Sequence, residues 1–384
     1  MRSAFILAVV IVVVISAISA GAQDNVVYPQ PYAAKYAEMP YDPFITAYAG
    51  TGYYYWNDLS GLIESSGEKA VEQKVEPYVM KKFYVKADLW IFNAGIEYLT
   101  SRFTDMGNIT EEQSAEEQQD PLARYMRFFS GLQLGGVELK GNLTYRKFQG
   151  ALKSLGMKPY DGTPPILPVL YYPANGPKQE LAKGDEAPWS TVVRDYEIVL
   201  SIPMNERRRR GMFTSYEIGG RYTSYSAPQK LRFTDPEAAP GDTYFSAVMQ
   251  TTYHIYSLSV GYRTRYQTIS DVYVEFYAPG VFGFHRFEND YLDARPKYPF
   301  NFTATGRGHL CLGYDLKHVR LEGGIDYTYY CSYSKADVKL KEDIDYYSER
   351  TGDPVTLTQG SKAEVSAMRL ELFWGVYLQA YILF

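Results

Sequence analysis

The segment Asn301–Ser334, NFTATGRGHLCLGYDLKHVRLEGGIDYTYYCSYS, decides how the rest of the chain is read. Alternate residues give Phe302, Ala304, Gly306, Gly308, Leu310, Leu312, Tyr314 and Leu316. After Lys317-His318 the set resumes as Val319, Leu321, Gly323, Ile325, Tyr327, Tyr329, Cys331 and Tyr333. Between them stand Thr303, Thr305, Arg307, His309, Asp315, Arg320, Glu322, Asp326 and Thr328. Side chains alternate faces along a strand, so the spacing predicts two strands of about 14 residues, each apolar on one face and polar on the other. A two-residue turn at Lys317-His318 sets Leu316 opposite Val319, Asp315 opposite Arg320 and His309 opposite Asp326. Opposite charges then face each other on the polar side. The same register puts Cys311 opposite Gly324 and Cys331 opposite Ala304, on different faces and too far apart for a disulfide.

These strands are more than twice the usual soluble length. Tyrosines mark both ends of the apolar face, with Leu, Ile and Gly between. A large soluble sheet with one buried face accommodates this pattern, and so does a barrel hairpin that shows lipid an apolar band edged by aromatic rings. The remaining chain favours the barrel. Met1–Ala22 reads as a secretory signal peptide: Arg2, an apolar run over Ala4–Ile15, then Ala20-Gly21-Ala22 before Gln23. No later run is long and apolar enough for a spanning helix, so spans in the mature chain must be strands closed on themselves. A mean hydropathy of -0.30 fits alternation between lipid and a wet lumen. The 38 tyrosines and 31 glycines suit headgroup-level belts and bends in curved sheets. The net charge of -5 singles out no partner.

Gln23–Asp42 has no clear period and is expected to form an irregular periplasmic lead-in, with residues 43–384 as the barrel. Strands are expected at about Pro43–Trp56, Phe83–Ile91, Ile96–Phe103, Phe128–Leu134, Val137–Tyr145, Tyr196–Ile202, Tyr216–Tyr222, Phe245–Ile255 and Tyr256–Tyr266. The 301–334 hairpin follows, and Ala363–Phe384 closes the chain as one long strand because its parity never breaks at Trp374-Gly375. Short turns near Asn93, Gly135, Asn205, His254 and Lys317 alternate with long connections near 57–77, 104–122, 149–188, 226–242, 270–299 and 335–362. Short periplasmic turns and long external loops require an even strand number, here twelve. Asp271–Phe287, broken by Pro279-Gly280, is placed as a hairpin within an external loop; if it enters the membrane the count is fourteen.

The final strand ends in Tyr381-Ile382-Leu383-Phe384, and its alternation with a C-terminal aromatic resembles the assembly signal of bacterial outer-membrane β-barrels. The resemblance is to that class and not to one family. It implies an all-β transmembrane antiparallel up-and-down barrel in the bacterial outer membrane, with Phe384 read by the barrel-assembly machinery and outer-membrane lipid around the wall.

Catalytic patterns are missing from the sequence. None of the four histidines (His254, His285, His309, His318) stands in the His-x-Ser element of a barrel phospholipase or the Asp-x-His element of a barrel protease. His309 with Asp326 is the one plausible His–acid couple, and no nucleophile accompanies it. No Cys/His cluster suggests a metal or another cofactor. The run Arg207–Arg210 is short and lacks aromatic platforms, which argues against nucleic acid. The informative set is the inward charge. Arg263, Arg265, Arg307, Arg320 and Arg369 come from later strands; Asp88, Glu138, Asp195, Glu197 and Glu217 come from earlier ones. They are expected on different arcs of one lumen wall, with Lys140, Arg221, His309, Asp326 and Glu371 also lining it. The expected function is therefore a porin-like passive channel for small hydrophilic solutes, and not an enzyme. The alternative is a non-conducting surface barrel that displays adhesive or receptor loops. In the 149–188 connection, Pro164–Pro173 is apolar and proline-stiffened, fit either to enter the lumen or to cover it as a lid. Glu111–Asp120 reads as solvated.

Overall fold

The computed structural model describes residues 45–58, 71–73, 78–89, 91–101, 122–134, 136–157, 166–173, 176–204, 211–234, 244–267, 272–297, 301–316, 319–348 and 352–383. The expected signal peptide, the lead-in, the run Glu111–Asp120 and Phe384 lie outside the described residues.

The chain forms β1 (Ile45–Asp58), β2 (Val71–Gln73), β3 (Tyr78–Leu89), β4 (Phe92–Thr100), β5 (Leu122–Leu134) and β6 (Val137–Ser154). Next come β7 (Val169–Tyr172), β8 (Gln179–Leu181), β9 (Glu186–Pro203), β10 (Gly211–Thr234), β11 (Tyr244–Gln267) and β12 (Val272–Glu288). The last are β13 (Leu292–Pro296), β14 (Phe302–Asp315), β15 (Val319–Leu340), β16 (Ile344–Ser348), β17 (Pro354–Leu357) and β18 (Lys362–Leu383). Twelve of these form an antiparallel ring in the order β1, β3, β4, β5, β6, β9, β10, β11, β12, β14, β15, β18. The ring closes where β18 pairs with β1 from Thr46↔Leu383 to Asp58↔Glu371. Among the described strands of the ring no edge is left to lipid, the condition a strand-built span must meet.

The 301–334 hairpin has the expected register, including Asp315↔Arg320, His309↔Asp326, Cys311↔Gly324 and Ala304↔Cys331. Leu316 N–H donates to the Val319 carbonyl at 2.7 Å. β18 is unbroken through Trp374-Gly375. Two expectations fail and cancel in the count. His254 is not at a turn: it lies mid-strand in β11, its ring on the outer wall between the Tyr222 hydroxyl at 2.8 Å and Glu288 at 3.2 Å. The stretch 271–287 is not an external hairpin but the barrel strand β12, paired with β11 on one side and β14 on the other. Proline has no N–H to give the ladder, and the β12–β14 pairing skips Ala278 and Pro279 while keeping its register on both sides. β11 ends at Gln267 and β12 begins at Val272.

The long strands carry two patterns in succession. On the lower half of β10 and β11, the half nearer the short turns, Tyr216, Tyr256, Leu258, Val260 and Tyr266 face outward and are exposed, while Glu217, Arg221 and Ser259 face inward and are buried. Above Tyr222 the faces exchange character. Tyr225, Ala227, Leu231 and Phe233 now point inward and are buried, as do Ala247, Met249, Tyr253 and Ile255, and Ser224, Ser226, Lys230 and Arg232 take the outer face. β15 and β18 make the same switch, to inward Ala336, Val338 and Leu340 and inward Ala363, Val365 and Ala367. At about 3.3 Å per residue and a tilt near 40°, the 24 residues of β10 rise about 60 Å, far more than an apolar belt of about 25 Å requires. The lower half therefore faces lipid, and the upper half is an apolar-cored extension into water.

That extension is closed. β10 and β18, which stand apart on the ring, pair directly from Arg232↔Ser366 to Thr234↔Glu364. All four residues of β7 are buried, and β7 pairs parallel with β11 at Val248↔Tyr171 and Met249↔Tyr172. Leu170 and Tyr172 join the core formed by Phe233, Met249, Val338 and Tyr346, while Val169 and Tyr171 pack with Met80, Phe148, Leu152 and Trp189. Each fully buried apolar side chain contributes about 1.5–3 kcal/mol, so β7 is anchored firmly. Its hairpin with β8 is also clasped to β16 and β17. The Tyr172 hydroxyl donates to the Asp345 carbonyl at 3.0 Å, Lys178 Nζ lies 2.5 Å from Asp345, and the Tyr347 hydroxyl donates to Glu180 at 2.9 Å. The described part of the Pro164–Pro173 segment is thus a wedge at the long-loop end.

Candidate functional site

Strand alternation and register bring the inward charges together inside the lower barrel. At the short-turn end Glu322 accepts hydrogen bonds from the Tyr273 hydroxyl at 2.6 Å, the Tyr377 hydroxyl at 2.8 Å and Gln379 Nε2 at 2.6 Å. The Arg265 guanidinium sits 3.8 Å from the centre of the Tyr273 ring. On the neighbouring wall Lys140 Nζ lies 2.7 Å from Glu217 and 3.6 Å from Glu138, and the Tyr277 hydroxyl donates to Glu217 at 2.7 Å. Arg263 is 3.7 Å from Glu275.

Other links cross the lumen. Arg307 on β14 reaches Glu197 on β9 at 2.9 Å, and the Ser259 hydroxyl donates to the same carboxylate at 3.0 Å. Lys82 on β3 reaches Asp326 on β15 at 3.0 Å, the Tyr54 hydroxyl donates to Asp326 at 2.9 Å, and the ammonium lies 3.9 Å from the Tyr377 ring centre. Higher up, Asp195 binds Arg146 at 2.9 Å and Arg221 at 2.7 Å and accepts the Thr223 hydroxyl at 2.7 Å. Glu371 takes Arg369 Nε at 2.5 Å and the Tyr225 hydroxyl. Tyr225 in turn stacks on Tyr330 of β15, with ring centres 4.5 Å apart. Carboxylates removed from water are costly unless paired and hydrogen-bonded, and these have both a cation or hydroxyl cluster and close geometry.

The sequence-derived lining residues Arg263, Arg265, Arg307, Glu138, Lys140, Asp195, Glu197, Glu217, Arg221, His309, Asp326, Arg369 and Glu371 all lie on inward positions. Their arrangement differs from the expectation in two ways. Basic and acidic groups are not segregated onto two arcs; they interleave and join across the lumen. His309 and Asp326 are backbone partners, but His309 Nε2 turns to Glu275 at 3.2 Å while Asp326 takes Lys82. Glu275 was misplaced with its strand. Tyr54, Tyr225, Tyr273, Tyr277 and Tyr377 also belong to the network; their residue type is that of the outer belts, and strand parity alone sets them apart.

Among the described residues no three His, Cys, Asp or Glu side chains gather as metal ligands. A serine–histidine contact exists: His285 Nε2 is 2.7 Å from Ser334 Oγ, and Nδ1 is 2.8 Å from Thr303 Oγ1. Both His285 and Ser334 are buried, at 1% and 0% exposure, and the third group is a hydroxyl and not a carboxylate. The contact satisfies a buried imidazole and presents no reachable nucleophile.

No family model and no curated protein matches the sequence. Among solved structures the chain is similar to the outer membrane protease OmpT from Escherichia coli, at 8% identity over 88% of this chain and 96% of that one, with a TM-score of 0.39. It is also similar to the Ralstonia pickettii toluene transporter TbuX, at 7% identity over 91% and 93% of the two chains, TM-score 0.34. The CymD monoaromatic hydrocarbon channel shows 8% identity over 90% and 89%, TM-score 0.34. The activities in those names belong to those proteins, since one architecture hosts unrelated functions. What the closed ring, the apolar outer wall and the charged interior establish in this chain is the fold: a twelve-stranded antiparallel transmembrane β-barrel.

Proposed function

We propose that this protein is a sealed outer-membrane barrel, a non-conducting scaffold whose raised outer half presents the β7–β8 and β16–β17 hairpins and the neighbouring long connections at the cell surface. In this reading the short turns face the periplasm and Phe384 serves assembly. The observation that carries it is the Arg307–Glu197 link at 2.9 Å, which joins strands four places apart on the ring across part of the lumen. Above that link and the Asp195 and Glu371 clusters the interior is apolar core, spanned again by the β10–β18 pairing. Planar-bilayer recording on the refolded chain tests this: silence is expected, and regular ohmic steps in the unmodified protein would sink it.

The density of charge on the inward face favours a second reading, a porin-like passive channel for small hydrophilic solutes in which the ion pairs and the β7–β8 wedge are a gate. A variant lacking residues 166–181 separates the two. A gated channel conducts once its wedge is gone, and a sealed scaffold stays silent because the lower network is still crossed.

A further inference from the structure

Where the inward face changes from charged to apolar, a cavity of about 40 Å³ lies between Arg146 and Arg221 on one side and Tyr330 and Phe373 on the other. Four polar atoms of its lining have no hydrogen-bond partner among the described residues: Arg146 Nε, Thr191 Oγ1, Thr305 Oγ1 and Tyr330 OH. They come from four strands, β6, β9, β14 and β15, so their convergence is a property of the folded ring and not of one local turn. All four can donate a hydrogen bond, and Arg146 Nε can do nothing else. A buried donor without an acceptor is an expensive group to keep, and four around one space call for a common acceptor.

The charge count points the same way. Arg146 and Arg221 share a single carboxylate, Asp195, at 2.9 and 2.7 Å. Among the described residues the neighbouring acids have guanidinium partners of their own, Glu371 with Arg369 and Glu197 with Arg307. Counted over these described residues, Arg146, Arg221, Arg307 and Arg369 against Asp195, Glu197 and Glu371, the cluster carries one cation in excess, inside a wall where an unbalanced charge is poorly screened. Two or three water-sized particles fit the volume, and an organic solute does not.

We propose that this cavity binds one small monovalent inorganic anion of chloride size, held by Arg146 Nε and the hydroxyls of Tyr330, Thr305 and Thr191, with any remaining space taken by water. The ion neutralises the extra guanidinium and ties β6 and β9 to β14 and β15 at the level where the two halves of the barrel meet. It is a structural ligand, and the proposal stands whether or not the barrel conducts.

The test uses the full chain refolded in detergent. Its unfolding midpoint is measured in sodium chloride and in sodium gluconate at equal ionic strength, so that screening is the same in both. A ligand bound only by the folded state raises stability with the logarithm of its concentration above the dissociation constant, so the midpoint should climb with chloride and stay flat in gluconate. The double variant Thr305→Val/Tyr330→Phe keeps the shapes and removes two donors; it should lose the chloride dependence while keeping its gluconate midpoint and its heat-modifiable gel shift. Crystals of the unmodified protein grown in bromide should show an anomalous peak between Arg146 and Tyr330. The proposal is overturned if that position holds water only, or if the double variant responds to chloride as the unmodified protein does.

Discussion

The link between Arg307 and Glu197 offers a direct measure of whether the lumen is dry. The two groups stand 2.9 Å apart, with side-chain exposures of 23% and 3%. At an effective dielectric constant of about 20 their attraction alone is about 6 kcal/mol. Desolvation offsets much of this, but removing one partner of a buried pair leaves an uncompensated charge and costs about 3–5 kcal/mol. Arg307→Met leaves Glu197 with the Ser259 hydroxyl at 3.0 Å and Asn142 Nδ2 at 3.3 Å, both neutral donors. Glu197→Gln strands the guanidinium in turn. Each single variant should lose about 3–5 kcal/mol, and the double variant Glu197→Gln/Arg307→Met should recover a large share, for a coupling energy above about 2 kcal/mol. Guanidinium unfolding of the detergent-folded protein, followed by tryptophan fluorescence, gives all four corners of the cycle. Nearly additive singles, with coupling within the roughly 0.2–1 kcal/mol of solvent-exposed pairs, would refute the reasoning. Such a result would mean that water fills the space between the strands, and the channel reading would then take precedence.

Leu310→Arg places a charge on the exposed outer wall opposite Ile325 and should cost about 2–4 kcal/mol in folding yield and stability in lipid vesicles. Thr305→Arg, on the inward face of the same strand, should also destabilise, by about 1–3 kcal/mol, because the cavity of about 40 Å³ beside it is too small for an arginine side chain; a neutral result would indicate a wider open space. Phe233→Ala removes a fully buried ring packed 4.9 Å from the centre of Tyr346 in the upper core and should cost about 3–5 kcal/mol, read as faster proteolysis of the long-loop end with the gel shift intact. The Asp345 carboxyl is held below the usual carboxylate range by the hydrogen bonds from Lys178 and Thr356. A depressed acid stabilises above its ordinary pKa and loses that contribution as pH falls through the lowered value, so protease nicking of the β7–β8 hairpin should accelerate in acid, and Asp345→Asn should be fast already at neutral pH.

Much of the barrel was legible because one rule, outward apolar and inward polar, holds wherever a strand borders lipid. It set the 301–334 register to the residue and carried β18 through Trp374-Gly375. The rule fails where the strand leaves the membrane, because the solvent and the core change sides. In β11 the apolar set runs over Ala247, Met249, Tyr253 and Ile255, then over Tyr256, Leu258 and Val260. That shift of parity between Ile255 and Tyr256 is the mark a tight turn would leave, and here it marks the boundary between the lipid-facing half and the raised half. A strand that keeps its direction while its environment inverts is indistinguishable, by alternation alone, from two strands. The same effect ended the expected strand at Tyr222 although β10 continues to Thr234.

Alternation assigns a face but says nothing of what stands opposite. Alternation assigned an inward face to the charged residues of the strands it recognised and missed Glu275 with β12, yet the difference between a wet channel and a filled interior rests on side chains meeting across the ring. That depends on ring size and shear, which fix which residue of β14 lies at the height of Glu197. It depends also on tyrosine, whose ring suits a headgroup belt and whose hydroxyl suits a buried carboxylate. Tyr196 and Tyr256 are on the outside, while Tyr225 and Tyr273 reach Glu371 and Glu322 within. A leucine-rich lining would have declared a core and a threonine-rich one a pore. A lining of tyrosine, arginine and glutamate is consistent with either, and the choice turns on long side chains that reach over the lumen and find a partner of the opposite charge.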